Sequence, residues 1–191
     1  LWGGEMQIAT KSLVLALLCA AYCTSTNARL VDLRGTSWEK HSQKECGLDP
    51  YLLYAVALTE SKNIAGTKGY VVPSPWALNN YVYGSYYPTS YEDAKRALAR
   101  YLSATPVTDI GIVQINFRWN GQYVNHPEEL LDVDTNIRIG AKTLCAAIKA
   151  NPGDIELAIG GYNTQNPKLE GKAREYGQRV LRVWKRLIEN D

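Results

Sequence analysis

What most constrains the fold of this chain is a series of apolar stripes at helical spacing, each fenced by a capping or breaking residue. Leu53, Val56 and Ala57 form one stripe; Ala94, Leu98, Tyr101 and Leu102 form another. Ile137, Ala141, Leu144, Cys145 and Ile148 make a third, and Tyr176, Val180, Val183, Trp184 and Leu187 a fourth. Residues three and four apart share one helix face, so each stripe predicts a helix with its apolar side turned inward. The fences agree with the stripes. Asp49 is a good N-cap with Pro50 at the first helical position, Ser90 caps the second stripe, and "NPG" at 151–153 ends the third before a new helix near Asp154. The pattern predicts helices over 37–44, from Pro50 through "YAVALTESKN", from Ser90 onward, over roughly 134–150, from about 154, and over roughly 169–189. Only "YVVP" and "GIVQIN" can pass for short strands. The expected fold is therefore a mainly α globular domain with little or no sheet.

The stretch 64–90 breaks the pattern, mixing Gly, Pro and Asn punctuation with many aromatics. Unstructured connections of that length are uncommon in compact domains and are often functional. The N-terminus is different again. Met6 reads as the start, and the apolar run "LVLALLCAAYC" (13–23) follows Lys11. Thr26 and Ala28 then supply the small-residue pattern of signal-peptidase cleavage. The run is shorter than the ~20 residues a spanning helix needs. Residues 1–28 are thus expected to be upstream residues plus a cleavable signal peptide. The mature, exported domain is 29–191, with no stable membrane insertion after cleavage.

Export leaves Cys46 and Cys145 as an even pair in an oxidising compartment, where a disulfide between them is one reading. Cys145 also continues an apolar stripe, so a buried thiol acting as a small hydrophobe is the other. The formal net charge is +2 with both signs interspersed, which does not point to nucleic acid. The basic segment "KAREYGQRVLRVWKRL" carries its own apolar stripe and reads as the solvated side of a packing helix. The two histidines, His41 and His126, sit in no metal-spaced motif, and no phosphate-cradling glycine loop occurs. No metal or cofactor is expected.

Glu60 stands out because it occupies the next position on the stripe begun by Leu53, Val56 and Ala57. A carboxylate facing an apolar interior loses hydration, and its pKa rises. A carboxylic acid that stays protonated near neutral pH is what a general acid must be. The competing reading is a carboxylate at the rim of its helix, solvated or paired with a nearby Lys or Arg. Gln114 and Asn116 in "GIVQIN", and Asn163 in "GGYN", offer amides that both donate and accept, as sugar hydroxyls and acetamido groups require. Tyr162 adds a phenol, and Trp76 a flat apolar face. Each has a bland counterpart: the amides can tie loops together, and the aromatics can simply pack.

Taken in order, "GLDPYLLYAVALTES", "GIVQIN" and "GYN" resemble the three motifs of the soluble lytic transglycosylase catalytic domain, whose relatives include goose-type lysozyme. The usual forms are a Glu-Ser pair ending an apolar helix, a Gly-Leu-Met-Gln stretch and Ala-Tyr-Asn. The similarity covers roughly residues 36–187, and "SPWALNN" through "TDIGIVQIN" also resembles members encoded with conjugation and type IV secretion systems. The resemblance implies a lysozyme-like helical domain with a substrate groove, acting on peptidoglycan glycan strands in the periplasm or cell envelope. Components of a conjugation or secretion apparatus are the implied partners. It assigns Glu60 as the single catalytic acid/base, and Ser61, Gln114, Tyr162 and Asn163 as substrate-binding positions. Asn116 joins them on chemistry as well as position. The chain departs from the pattern in three places. About fifty residues separate Glu60 from Gly111, Ile-Val replaces Leu-Met, and the "GYNTQN" loop lacks both the alanine before Tyr162 and the glycine usual shortly after Asn163.

The implied reaction breaks the bond between N-acetylmuramic acid and N-acetylglucosamine with 1,6-anhydro product formation. One carboxyl then serves as acid and base in turn. A hydrolytic muramidase is the nearest rival. It needs a second carboxylate, about 6.5–9.5 Å away if inverting, for which Asp109 is the first candidate. A non-catalytic glycan-binding component of an envelope machine is the rival from another class, supported by the altered loop after Tyr162.

Overall fold

The computed structural model describes residues 31–65 and 70–189. The leader assigned to residues 1–28 lies outside them. Helices dominate, as the stripes predict: α1 (Ser37–Cys46), α2 (Pro50–Ser61), α3 (Tyr91–Ala104), α4 (Phe117–Asn120), α5 (Val133–Ala150), α6 (Ile155–Gly160) and α7 (Glu170–Glu189). Their starts follow side-chain chemistry. Ser90 accepts the Asp93 N–H at 3.2 Å, Asp132 that of Thr135 at 2.8 Å, and Asp154 that of Leu157 at 3.0 Å. Each satisfies an N–H that the helix leaves unpaired, a contribution of ~1 kcal/mol.

α2 runs through the middle of the core. Every residue from Tyr51 to Ala57 is buried, so this helix has no polar face at all. It packs against α1, α5 and α7. Leu98 and Tyr101 of α3, Ile137 and Leu144 of α5, and Tyr176 and Val180 of α7 turn their stripes onto the same core. Cys46 and Cys145 form a disulfide, with Cα atoms 6.1 Å apart, that fastens the end of α1 to α5. Asp134 adds a polar seam to that junction, accepting from Ser37 Oγ at 2.6 Å and lying 3.0 Å from His41 Nε2.

The region between α2 and α4 holds more strand than its sequence suggests. "YVVP" is β2 (Tyr70–Pro73), paired antiparallel with β1 (Lys62–Ala65). A second, antiparallel sheet has the order β4-β3-β5-β6, from β3 (Leu78–Asn80), β4 (Gly84–Tyr86), β5 (Thr108–Ile110) and β6 (Ile115–Asn116). "GIVQIN" is mostly a turn, because Gly111 takes φ +82° and Gln114 φ +52°, neither compatible with a strand. Buried Asn80 explains the β3–β4 hairpin. Its Oδ1 accepts the N–H groups of Val82 and Tyr83 at 3.0 and 2.8 Å, and its Nδ2 donates to Tyr101 O and Thr108 Oγ1. The fold stays mainly α, with this small sheet set beside α3.

Candidate active site

Glu60 sits in the last turn of α2, one turn beyond the fully buried Val56 and Ala57. Loss of hydration raises its pKa from the ordinary carboxyl value to about 7. Three neighbours modulate that effect. The Tyr176 hydroxyl and the Arg179 guanidinium favour the anion and pull the pKa down, whereas the Asp109 carboxylate pushes it further up. At neutral pH a carboxyl of this kind is present in both protonation states, which suits a group that must give a proton and take one back.

The three sequence motifs meet at one turn. Ser61 Oγ donates to Ile112 O at 2.5 Å, and Tyr162 Oη donates to Val113 O at 2.7 Å. The helix bearing Glu60 and the segment bearing Tyr162 are thus both tied to the backbone of residues 111–114. That turn is itself pinned from α5. Asn136, fully buried, accepts from Val113 N and donates to Ile110 O and Leu130 O. Gly111 is required there, since a Cβ would lie 2.2 Å from Asn136 Nδ2. Gln114 donates through Nε2 to Ala77 O at 2.8 Å and Gly111 O at 2.9 Å, so its amide protons close the turn.

Behind Glu60, α6 and α7 approach closely enough that a Cβ on Gly160 would lie 2.2 Å from Ala173 O, and one on Gly177 2.1 Å from Glu156 O. This contact brings the rings of Tyr162 and Tyr176 into a parallel stack, centroids 6.5 Å apart. Burial holds both phenols well above their usual pKa, and the nearby Glu60 charge adds to the effect. They are neutral donors. Tyr162 has committed its proton to Val113, whereas Tyr176 Oη is out of solvent, has no hydrogen-bond partner among the described residues and acts on Glu60 electrostatically. Arg179, one turn along α7, lies 5.5 Å from the Tyr176 ring centroid with its side chain exposed.

On the other side stands the sheet. Asp109 accepts from Asn116 Nδ2 at 2.8 Å and from Asn79 Nδ2 at 3.3 Å. Partial burial raises its pKa, and the two amide donors oppose the rise.

The residues singled out in the sequence separate into two groups. Glu60, Tyr162 and Asn116 belong to the electrostatic neighbourhood just described. Ser61, expected at the substrate, is fully buried with its hydroxyl spent on Ile112 O and Ala57 O. A hydroxyl so placed ties the end of α2 to the turn at 111–114. Asn163 is exposed beside Tyr162, its backbone N–H closing the turn onto Gly160 O. Trp76 packs half-buried against the core. Sequence reasoning passed over Tyr176, which heads the α7 stripe and looks like any core residue, and Asn79, which lies in a segment without period. Arg179 carried no signal beyond its charge.

Among the described residues, no three His, Cys, Asp or Glu side chains are grouped as metal ligands, and no helix is long and apolar enough to cross a membrane. No curated protein and no solved structure matches the chain significantly. The model of the transglycosylase SLT domain matches residues 37–180, a span that includes α1, Glu60, the pinned turn, Tyr162 and Tyr176. The chain belongs to the transglycosylase SLT domain family, whose members are peptidoglycan lytic transglycosylases acting in the cell envelope.

Proposed function

We propose that Glu60 is the acid/base of this enzyme and cleaves the β-1,4 bond between N-acetylmuramic acid and N-acetylglucosamine. Protonated Glu60 donates its proton to the glycosidic oxygen as the bond to C1 breaks. The carboxylate so formed then removes the proton of the muramic C6 hydroxyl, whose oxygen attacks C1 and closes the 1,6-anhydro ring. Proton and bond counts balance without water, and no second carboxylate is required. The observation that carries this reading is the Glu60 carboxyl, its pKa raised by burial to about 7, beside two neutral phenols. Tyr176 would steady the anion between the two half-reactions.

A second reading has an observation of its own. Asp109, raised in pKa and held by two amides, acts on Glu60 electrostatically. A carboxylate so placed could orient a water or stabilise positive charge at C1, giving hydrolysis instead. Digestion of purified peptidoglycan with the mature protein separates the two by product mass. Anhydro-muramic ends, one water lighter than reducing ends, support transglycosylation, and reducing ends alone would sink it. Export, and opening of the wall for a conjugation or secretion apparatus, complete the proposal; they rest on the signal-peptide pattern in residues 1–28 and on the resemblance running from "SPWALNN" through "TDIGIVQIN".

A further inference from the structure

At the end of the β3–β6 sheet away from the 111–114 turn, apolar side chains stand in solvent. The β3–β4 turn carries Tyr81 at 80% exposure, Val82 at 47% and Tyr83 at 45%, and Val107, at 42%, precedes β5. Asn80 is paired with Thr108, so Tyr81 and Val107 leave the ladder side by side and the four residues share one patch. The patch is held in shape. Asn80 Oδ1 accepts the N–H groups of Val82 and Tyr83, Tyr101 Oη donates to Gly84 O at 3.2 Å, and the Tyr83 and Tyr101 rings pack with centroids 5.2 Å apart. Arg100 lies over the Tyr83 ring, 4.8 Å from its centroid, and Arg96 is one turn back on the exposed face of α3. From Trp76 to Thr108 the only charged residues are Glu92, Asp93, Lys95, Arg96 and Arg100, and the two acids are confined to the first turn of α3. The rim of the patch is therefore cationic.

We propose that this patch docks an acidic segment of a partner protein, its apolar side chains seated on Tyr81, Val82, Tyr83 and Val107 and its carboxylates on Arg100 and Arg96. The inference goes beyond the chemistry at Glu60 and does not depend on it. Contiguous exposed apolar surface with a polar rim marks interaction sites in soluble proteins. Tyr and Arg are among the residues that contribute most at protein interfaces, and a patch already held in shape loses little freedom on binding. Charge selects the occupant. A second copy of the chain, meeting this patch across a two-fold axis, would bring Arg100 and Arg96 toward their own counterparts, and like charges so juxtaposed are costly. A lipid surface takes deeper insertion of Trp, Phe or Leu, whereas tyrosine hydroxyls need polar partners of the kind a protein supplies. An acidic segment with apolar anchors satisfies both parts of the patch. Between Val107 and Gly111 the chain runs through β5, about 13 Å if extended, so a partner docked here leaves the 111–114 turn and Glu60 clear. Docking would fix where the enzyme works without altering what it does.

The test presents the mature protein with a short synthetic peptide that spaces Leu and Phe anchors among glutamates. The same peptide with Lys for Glu, the same with Ser for the anchors, and vesicles of phosphatidylcholine and phosphatidylglycerol are the comparisons. The Glu peptide is expected to bind roughly tenfold more tightly than either other peptide, moving the amide NMR signals of residues 81–83, 100 and 107. Tyr81→Ser, at an exposed position where folding is at least risk, should raise its Kd roughly tenfold. Arg100→Glu should exchange the preference, so that the Lys peptide becomes the tighter ligand. Thermal melting checks both variants, and both should cleave peptidoglycan as the unsubstituted protein does. Failure of the Glu peptide to bind overturns the proposal, as does equal binding of the Glu and Lys peptides or signal movement elsewhere. Capture by the vesicles would reassign the patch to a lipid surface, and dimerisation in sedimentation that Tyr81→Ser abolishes would reassign it to a second copy. Cleavage that falls in step with peptide binding would place the patch in the substrate groove, and that too overturns it.

Discussion

α2, α6 and α7 hold Glu60 by burying almost everything around it, whereas the β3–β6 sheet holds Asp109 on an open face with two amides. The helical side supplies the Glu60 carboxyl and the groups that pull its pKa down, Tyr176 and Arg179. The sheet side supplies the neighbour that pushes it up. The difference teaches how a single carboxyl reaches a pKa near 7. Desolvation by the helical core contributes the largest effect, and charges on the two sides trim it in opposite directions. The turn at 111–114 is the joint between them, since Ser61 and Tyr162 grip it from one side and β5 and β6 enter and leave it on the other.

If the helical side carries the chemistry, Glu60→Gln should give the largest effect, a loss of about 10³-fold in turnover within the 10²–10⁴ range for general acid–base groups. Anhydro-product release from soluble glycan is the readout, and turnover within a few-fold of the unsubstituted protein would move the chemistry elsewhere. The same variant tests the energetic cost of that chemistry. Glu60 has a folded-state pKa of about 7, above its ordinary value of 4.5. The folded chain therefore binds more protons than the unfolded one between these values. Stability linked to this group is fully present below pH 4.5 and lost as pH rises through 7. The loss is roughly 3 kcal/mol. Glu60→Gln and the unsubstituted protein should melt together near pH 4 and diverge above pH 7, with the variant more stable. A gap that stays constant with pH would mean that burial does not perturb Glu60.

The joint itself comes next. Gly111→Ala puts a Cβ against Asn136 Nδ2 and Leu130 O at a φ of +82° that L-residues avoid. A destabilisation of about 3 kcal/mol is expected in urea, together with reduced activity, because the turn positions both sides. Asn136→Ala should resemble it, since the same backbone groups lose their partners.

The contrast between the two sides also marks what could be read in the sequence. α3, α5 and α7 are long enough for the apolar period to repeat, and the caps of α3 and α5 are local, so stripe and fence coincide there. The strands are two to four residues long, too short for alternation to register, and β3 exists because a buried Asn80 braces it from α3 and β5. That brace is tertiary and leaves no local mark. Glu60 could be singled out because a charge on an apolar face is an anomaly, and the ordered motifs gave the chain its family. Tyr176 could not, because a tyrosine on an apolar face is no anomaly at all. Asn136 was hidden for a related reason: one polar residue in a helix signals nothing until the carbonyls it serves are in place.

The finest test pits the two sides against each other. As the general acid, Glu60 must be protonated, so activity should decline on the alkaline side as pH passes its pKa near 7. Tyr176→Phe removes a donor that favours the anion, and Arg179→Gln removes a cation that does the same. Each should raise the pKa and carry the alkaline limb to higher pH. Asp109→Asn removes the neighbouring negative charge, so the pKa should fall and the limb move to lower pH. A merely structural role for these residues would lower activity at every pH without moving the limb, and a shared direction for all three would contradict the opposition of helix and sheet. Combining Tyr176→Phe with Asp109→Asn should return the limb toward its original position, since the two perturbations act on one carboxyl from opposite sides.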